Sequence, residues 1–196
     1  MSSLTCRLLF WNCFISLAVW WNNRNKAQGI GCCAILIVFS AVACTFASVN
    51  VCNFIKLTDS TGTFTRSLWR GQLTFLNTCA SYRNSAIFID RRWNSARYAS
   101  VLTQIFSGLG FFVSLGASKG NIKALGVASS VAFVACLFEG LTLLFLNSSA
   151  CDYYVYNREG SAVTSCTMDQ GAKLAIAATV LWFVAAVSLA GAGKTA

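Results

Sequence analysis

Cysteines are the residues whose spacing most clearly indicates chemistry in this chain. The sequence contains ten among 196 residues, and four lie in or beside two polar segments that separate long apolar stretches: Cys52, Cys79, Cys151 and Cys166. In an oxidising compartment, a Cys151 to Cys166 bond closes a loop of about 15 residues and stabilises the fold by roughly 3 kcal/mol. We therefore predict two structural disulfides, Cys52 with Cys79 and Cys151 with Cys166. Four cysteines allow three connectivities, so cross-pairing and four separate thiols stay open.

Glu139 is the one acidic residue inside an apolar stretch. A carboxylate in the hydrocarbon of a bilayer is costly, so this group should be protonated, paired with a cation or exposed to a water-filled crevice. We predict an ion pair with Arg97, because that long side chain starts at the beginning of the second apolar stretch and reaches a comparable depth. Two alternatives are open: an ion or proton pathway at Glu139, which Gln104 could also line, and a protonated, hydrogen-bonded acid.

The absence of histidine removes several classes of function. The chain has no His, which is the commonest metal ligand and general base, so zinc hydrolases, haem proteins and Ser-His-Asp enzymes are disfavoured. Nothing in the sequence places a Cys or Ser nucleophile beside a base. The net charge of +9 comes from scattered residues without a recognition motif. We expect no enzyme activity, no cofactor, no metal and no nucleic-acid partner.

Four apolar stretches position these residues, namely 30–52, 98–117, 124–146 and 174–192. Each is about as long as the roughly 20 residues that a helix needs to cross a bilayer. Only 11% of the residues are charged, compared with roughly 25% in soluble domains. We predict a mainly α membrane protein, a four-transmembrane-helix bundle whose larger loops, 53–97 and 147–173, lie on the same side.

Small residues recur at helical spacing in each stretch. They are Ser40, Cys44 and Ser48, then Gly110 and Ser114, then Gly126 and Ser130, then Ala186 and Ala190. Such stripes allow helices to approach closely in lipid, so they predict a tightly packed bundle. The abundance of small residues in membrane helices is the simpler explanation for any single pair.

The two larger loops show strand patterns. Residues 63–69 and 72–79 alternate in polarity and are rich in β-branched and aromatic residues, which predicts a β-hairpin that turns at Arg70-Gly71, with 85–89 as a further strand. Residues 153–156 and 161–164 flank a turn-forming segment and predict a second hairpin. Together they predict a small extracellular β-lobe built from both loops.

Residues 1–29 precede the first stretch and include a shorter apolar segment, 8–21. An interfacial helix anchored by tryptophans and a signal peptide are both open interpretations of it. Residues 193–196 form a short tail, which we expect to be cytoplasmic together with the N-terminus.

The distribution of basic residues bears on this orientation. With cytoplasmic termini, six basic residues face the cytosol and nine face the other side, so the positive-inside rule alone predicts the inverted protein. Hairpins bracketed by cysteines favour an oxidising side for the loops. We expect a multi-pass protein with both termini cytoplasmic, in the plasma membrane or another membrane of the secretory pathway.

The chain resembles the claudin and peripheral-myelin-protein superfamily of four-span membrane proteins. The resemblance rests on Ser67-Leu68-Trp69 followed by Cys79, on Ala96-Arg97 at the start of the second stretch, and on a tiny turn before the third. It covers residues 30–192. Ser67 replaces the Gly of the family's usual Gly-Leu-Trp, and Cys52 takes the place of the first of its paired cysteines.

The resemblance implies a non-enzymatic protein that acts by lateral association and by contacts of its extracellular loops. Adhesion, barrier formation or membrane organisation at cell junctions are the expected roles. The expected partners are the lipid bilayer, copies of the chain itself and other membrane proteins. The alternative function is a small transporter, channel or channel auxiliary subunit that uses Glu139 in the membrane.

Overall fold

Four long helices form most of the protein. The computed structural model describes residues 26–59, 62–73, 78–81, 89–117, 122–152 and 165–195. The helices are α1 (Lys26–Asn50), α2 (Arg91–Ala117), α3 (Ile122–Thr142) and α4 (Gln170–Thr195). A 3-10 helix, Leu143–Asn147, extends α3, and one helical turn, Ser149–Asp152, follows it. The five strands are β1 (Ile55–Asp59), β2 (Gly62–Arg66), β3 (Arg70–Leu73), β4 (Thr78–Ser81) and β5 (Ser165–Met168).

Three helical stretches in the described residues are long and apolar enough to cross a membrane: Arg91–Gly116, Lys123–Cys151 and Gln170–Ala192. They correspond to the second, third and fourth predicted spans, and the predictions 98–117, 124–146 and 174–192 were too short at the end that joins the larger loops. The apolar stretch assigned within α1, Ala34–Asn50, is shorter. The mainly helical class and the small sheet are confirmed, and the three stretches are compatible with a multi-pass membrane protein.

Alanines bring the helices of the bundle together. Ala128, Ala132 and Ala135 form a buried row on α3, and Ala178 and Ala185 are buried on α4. Without long side chains between them, the two backbones approach closely, which increases van der Waals contact between the helices. The helix α4 packs against both α1 and α3, while α2 packs against α3 and, less extensively, α1.

The predicted stripes of small residues are partly right. Cys44, Ser48, Gly110, Ser114 and Ala186 are buried as expected. The predicted stripe of the third span is wrong, because Gly126 and Ser130 are exposed, as is Ala190 of the fourth. Gly126 and Ser130 each precede an alanine of the buried row by two residues, which is about 200° around an α-helix. The alanine row faces the bundle, so the other pair faces away.

Both polar loops contribute to one antiparallel sheet, in the order β4-β3-β2-β1-β5. The first loop supplies four strands, and β5 from the second loop pairs with β1, where Leu57 lies opposite Cys166. The strand β1 was not predicted, although Ile55-Lys56-Leu57-Thr58 alternates apolar and polar residues. Residues 85–88 of the strand predicted at 85–89 lie outside the described residues. The predicted hairpin at 153–164 and the apolar segment 8–21 lie outside them as well.

The turn predicted at Arg70-Gly71 is wrong. Those two residues begin β3, and the chain turns instead at Ser67-Leu68-Trp69, where the Ser67 N–H donates to the Arg70 carbonyl at 2.8 Å. Leu68 at this turn is fully buried. Burial of Leu68 against the helices determines where the hairpin bends, which a propensity for Arg and Gly in turns does not reveal.

The sheet rests on the end of the bundle through a second apolar cluster, which includes Phe54, Ile55, Leu57, Leu68, Trp93 and Phe145. Phe145 of the 3-10 helix packs edge-on against Phe54 at 5.4 Å and against Trp93 at 5.2 Å, measured between ring centroids. Aromatic pairs in this geometry contribute about 0.5–1.5 kcal/mol beyond their burial. The 3-10 extension of α3 therefore joins the sheet to α2.

A glycine at the start of α4 allows the chain after α1 to approach it. The Gly171 N–H donates to the Asn53 carbonyl at 2.9 Å, and a Cβ at this position would lie 2.8 Å from the Phe54 Cα and 2.9 Å from Val51. Only a residue without a side chain fits there, because the opposing atom is backbone.

Replacing Gly171 with alanine should therefore destabilise the protein by about 1–3 kcal/mol, the usual cost of overpacking. The measurement is the midpoint of thermal unfolding in detergent micelles. Gly108→Ala is the matched control, because a Cβ there meets nothing within 4 Å and alanine is the better helix former by about 1 kcal/mol. Equal midpoints for the two variants would contradict the close approach.

Candidate functional site

Two disulfides connect helix ends to the sheet. One joins Cys52, just after α1, to Cys79 in β4, and the other joins Cys151, in the helical turn after α3, to Cys166 in β5. The Cα atoms of the pairs are 5.9 and 5.5 Å apart, within the usual range for disulfides. These are the two pairings predicted from the sequence, and they attach both edge strands of the sheet to the bundle.

The carbonyl oxygen of Leu68 is the polar centre of the junction between sheet and bundle. It accepts a hydrogen bond from Trp93 Nε1 at 3.1 Å and another from Arg97 Nε at 2.7 Å. Both donors lie on the first two turns of α2, one helical turn apart. A buried carbonyl without partners would cost about 1–3 kcal/mol, and here both of its lone pairs are occupied.

The Arg97 guanidinium also lies against two indole rings. Its central carbon is 5.1 Å from the ring centroid of Trp69 and 5.3 Å from that of Trp93, distances at which cations are attracted to aromatic faces. Trp69 in turn donates from Nε1 to Ser100 Oγ at 3.3 Å. Ala96, fully buried, lies in the same cluster. The structure thus brings together the motif residues Leu68, Trp69 and Ala96 with Arg97.

Asp90 fastens the two loops to each other. Its Oδ1 accepts from the Trp93 backbone N–H at 2.8 Å, which caps the start of α2, and its Oδ2 accepts from the Ser149 N–H at 3.1 Å. Arg92 Nη1 donates to the Asn147 carbonyl at 2.9 Å. The sequence signal for the cap was available, since Asp directly before a helix is a preferred N-cap, but its second bond depends on the tertiary fold.

Glu139 lies in the interior of the bundle, fully buried. Ser48 Oγ of α1 donates to its Oε1 at 3.3 Å, and Thr45 lies one turn earlier on the same helix. Thr45 Oγ1 accepts from Trp182 Nε1 of α4 at 3.1 Å. Side chains of three helices are therefore connected through one carboxyl group and one hydroxyl. The other carboxyl oxygen, Oε2, has no hydrogen-bond partner among the described residues.

The structure does not bring Arg97 and Glu139 together, so the predicted ion pair is replaced by two separate sets of contacts. Arg97 points to the Leu68 carbonyl and the indoles, and Glu139 points across to α1. The reason is that the junction offers Arg97 a carbonyl and two aromatic faces close to the start of α2. Gln104, the other polar residue considered, is half-buried on α2, and Glu139 makes no described contact with it.

Sequence reasoning missed the α1 residues that contact Glu139 and Trp182. Thr45 and Ser48 are three residues apart on α1 and so share a face, a signal that was present in the sequence. Nothing in the sequence pairs that face with α3 or selects Trp182 from among six tryptophans.

Among the described residues, no three His, Cys, Asp or Glu side chains group closely enough to hold a metal ion. No family model and no curated protein matches the chain. The two features that carry information on function are thus the junction around Leu68 and the buried carboxyl group of Glu139.

Replacing Arg97 with alanine should lower the free energy of unfolding by about 2 kcal/mol, since it removes a hydrogen bond from a charged donor and a contact with two indole rings. Arg91→Ala is the control, because Arg91 is exposed on the first turn of the same helix and surface changes usually stay within about 0.5 kcal/mol. Thermal unfolding monitored by near-UV circular dichroism reports on both. If the two variants unfold at the same temperature, the role assigned to Arg97 is wrong.

Proposed function

We propose that the chain is a claudin-like, four-span membrane protein that acts without catalysis, through lateral association in the membrane and contacts of an extracellular sheet. Adhesion, barrier formation or membrane organisation at cell junctions are the roles that fit this organisation. Its partners are the lipid bilayer, copies of itself and other membrane proteins.

The observation that carries the proposal is the convergence of the motif residues. Leu68 of the first loop accepts a hydrogen bond from Arg97 of α2 and shares a buried apolar cluster with Ala96, while the partly exposed Trp69 lies against the Arg97 guanidinium. The two loop residues lie 27 or more positions before the two helix residues in the sequence. The same four residues carry the family resemblance. A shared role in fastening the sheet to the bundle gives the motif a physical reason.

The length of α1 supports its role as the fourth span. At 25 residues and 1.5 Å per residue, the helix is about 37 Å long, which exceeds the roughly 30 Å of a hydrocarbon core. Its buried face continues the core of the bundle from Ala34 to Cys44. We therefore place α1 beside the other three helices in the membrane.

The disulfides support an extracellular or lumenal sheet and cytoplasmic termini. Disulfides persist in secretory compartments and are rare in the cytosol. The excess of basic residues on the sheet side opposes this orientation under the positive-inside rule. We give the disulfides more weight, because a sheet attached to the helices by two of them depends on oxidising conditions, while arginines such as Arg97 and Arg92 have structural partners.

The apolar outer surface of the helices supports association within the membrane. Large side chains such as Phe112, Val127 and Val187 are more than half exposed, which is compatible with lipid or neighbouring helices as their surroundings. No described residue on the bundle surface suggests a reaction.

The orientation can be tested with single new cysteines labelled by a membrane-impermeant maleimide on intact cells. Lys56→Cys, exposed on β1, should react without permeabilisation, and Lys123→Cys, exposed at the opposite end of the bundle, should react only after it. The parent protein gives the background from its native thiols. The reverse pattern would invert the protein and remove the extracellular sheet from the proposal.

The association can be tested with two differently tagged copies expressed together and crosslinked in the membrane before solubilisation. The proposal predicts that one tag captures the other, while an unrelated four-span protein at equal abundance is not captured. A chain that stays monomeric and captures no other membrane protein would contradict it.

A second candidate, a transporter, channel or channel auxiliary subunit, is favoured by one observation, the buried Glu139 with its unpartnered Oε2. Glu139→Gln separates the two candidates. A scaffold should keep its surface abundance and capture its partner copy as before, whereas a conducting protein should show altered ion flux in proteoliposomes.

A further inference from the structure

Few hydrogen-bond donors reach the Glu139 carboxyl group. Ser48 has one hydroxyl hydrogen, which it shares between Glu139 Oε1 at 3.3 Å and the Thr45 carbonyl at 2.8 Å. One neutral hydroxyl is therefore the donor to this group among the described residues, and Oε2 has none, whereas a carboxylate has about four lone-pair sites to satisfy.

No basic side chain among the described residues contacts Glu139. None of the four apolar stretches contains Lys or Arg, and Arg97 is engaged by the Leu68 carbonyl. The carboxyl group bonds Ser48 of α1, and the Thr142 hydroxyl bonds the backbone carbonyl of Glu139. Neither of these groups carries positive charge.

A negative charge on Glu139 would also lie next to the C-terminal end of α1, which makes that charge more costly. Thr45 and Ser48 precede Asn50, the last residue of α1, by five and two positions, so the carboxyl group lies beside the C-terminal turns of that helix. The carbonyl end of a helix carries a partial negative charge, which disfavours an anion next to it. A buried carboxylate without a cation is costly in any case.

We propose that Glu139 is a proton-binding site inside the bundle, with the proton on Oε2 and with Oε1 accepting from the Ser48 hydroxyl of α1. The proton comes from water and returns to it, so no other reactant is required. Release of the proton would leave a negative charge in the interior of the bundle, beside the Ser48 hydroxyl. Occupancy of this site is a property separate from the sheet contacts proposed above, although both rest on the placement of the bundle in a membrane.

The test is infrared spectroscopy of the full-length protein in proteoliposomes at neutral pH. The spectrum of the wild type minus that of Glu139→Gln should contain the carbonyl stretch of a protonated carboxyl group, and the band should shift in D2O because the proton exchanges. Asp169→Asn is the matched control. Asp169 lies directly before α4, outside the apolar stretch, where its Oδ1 accepts from the Gln170 N–H at 2.8 Å, so the spectrum of this variant should keep the protonated band assigned to Glu139.

A difference spectrum for Glu139→Gln with carboxylate bands alone would overturn the proposal. Loss of the protonated band when sodium is added at constant pH would also overturn it, in favour of a metal-cation site. If Glu139→Gln does not fold, the wild type alone decides, because its protonated band should disappear at strongly alkaline pH and return on neutralisation. Flotation of the same proteoliposomes reports membrane insertion independently, so a failure of the proton site is distinguishable from a failure of the membrane placement.

Discussion

The attachment of the sheet to the bundle depends on the carbonyl oxygen of Leu68. This single acceptor receives Trp93 and Arg97 from adjacent turns of α2, so the turn between β2 and β3 is fixed in position relative to the helix. The disulfides hold the two outer strands, and Asp90 connects the second loop to the same helix. With these three fastenings, a sheet of short strands, marginal on its own, becomes a rigid continuation of the bundle.

The hydroxyl groups of the helices are satisfied in two ways. Ser40, Thr103, Ser114 and Thr179 each donate to the carbonyl four residues earlier in their own helix. Such local bonds satisfy a polar group without a partner helix. Ser129 of α3 instead donates to the Ala186 carbonyl of α4, and Ser48 of α1 donates to Glu139 of α3. Glu139 is thus one of several polar contacts between helices, and it places a buried carboxyl group among them.

The sequence was informative where local pattern decides structure and silent where tertiary contacts do. Hydrophobic length predicted three of the helices, and cysteine spacing predicted both disulfides. The turn at Leu68 was misplaced because burial against α2 outweighs the turn propensity of Arg70-Gly71. The Arg97 to Glu139 pairing failed for a related reason. Charge and depth along a helix were known, but the carbonyl and the indole rings that compete for Arg97 come from a loop whose path only the fold determines.

The most direct test of the account is the state of four cysteines in the protein purified from native membranes. Free thiols are alkylated first, the protein is digested without reduction, and linked peptides are identified by mass spectrometry. The account predicts peptides that join Cys52 to Cys79 and Cys151 to Cys166. Alkylated thiols at all four positions would contradict it, because a sheet held in a reducing compartment would lose both its covalent attachment and its proposed location outside the cytosol.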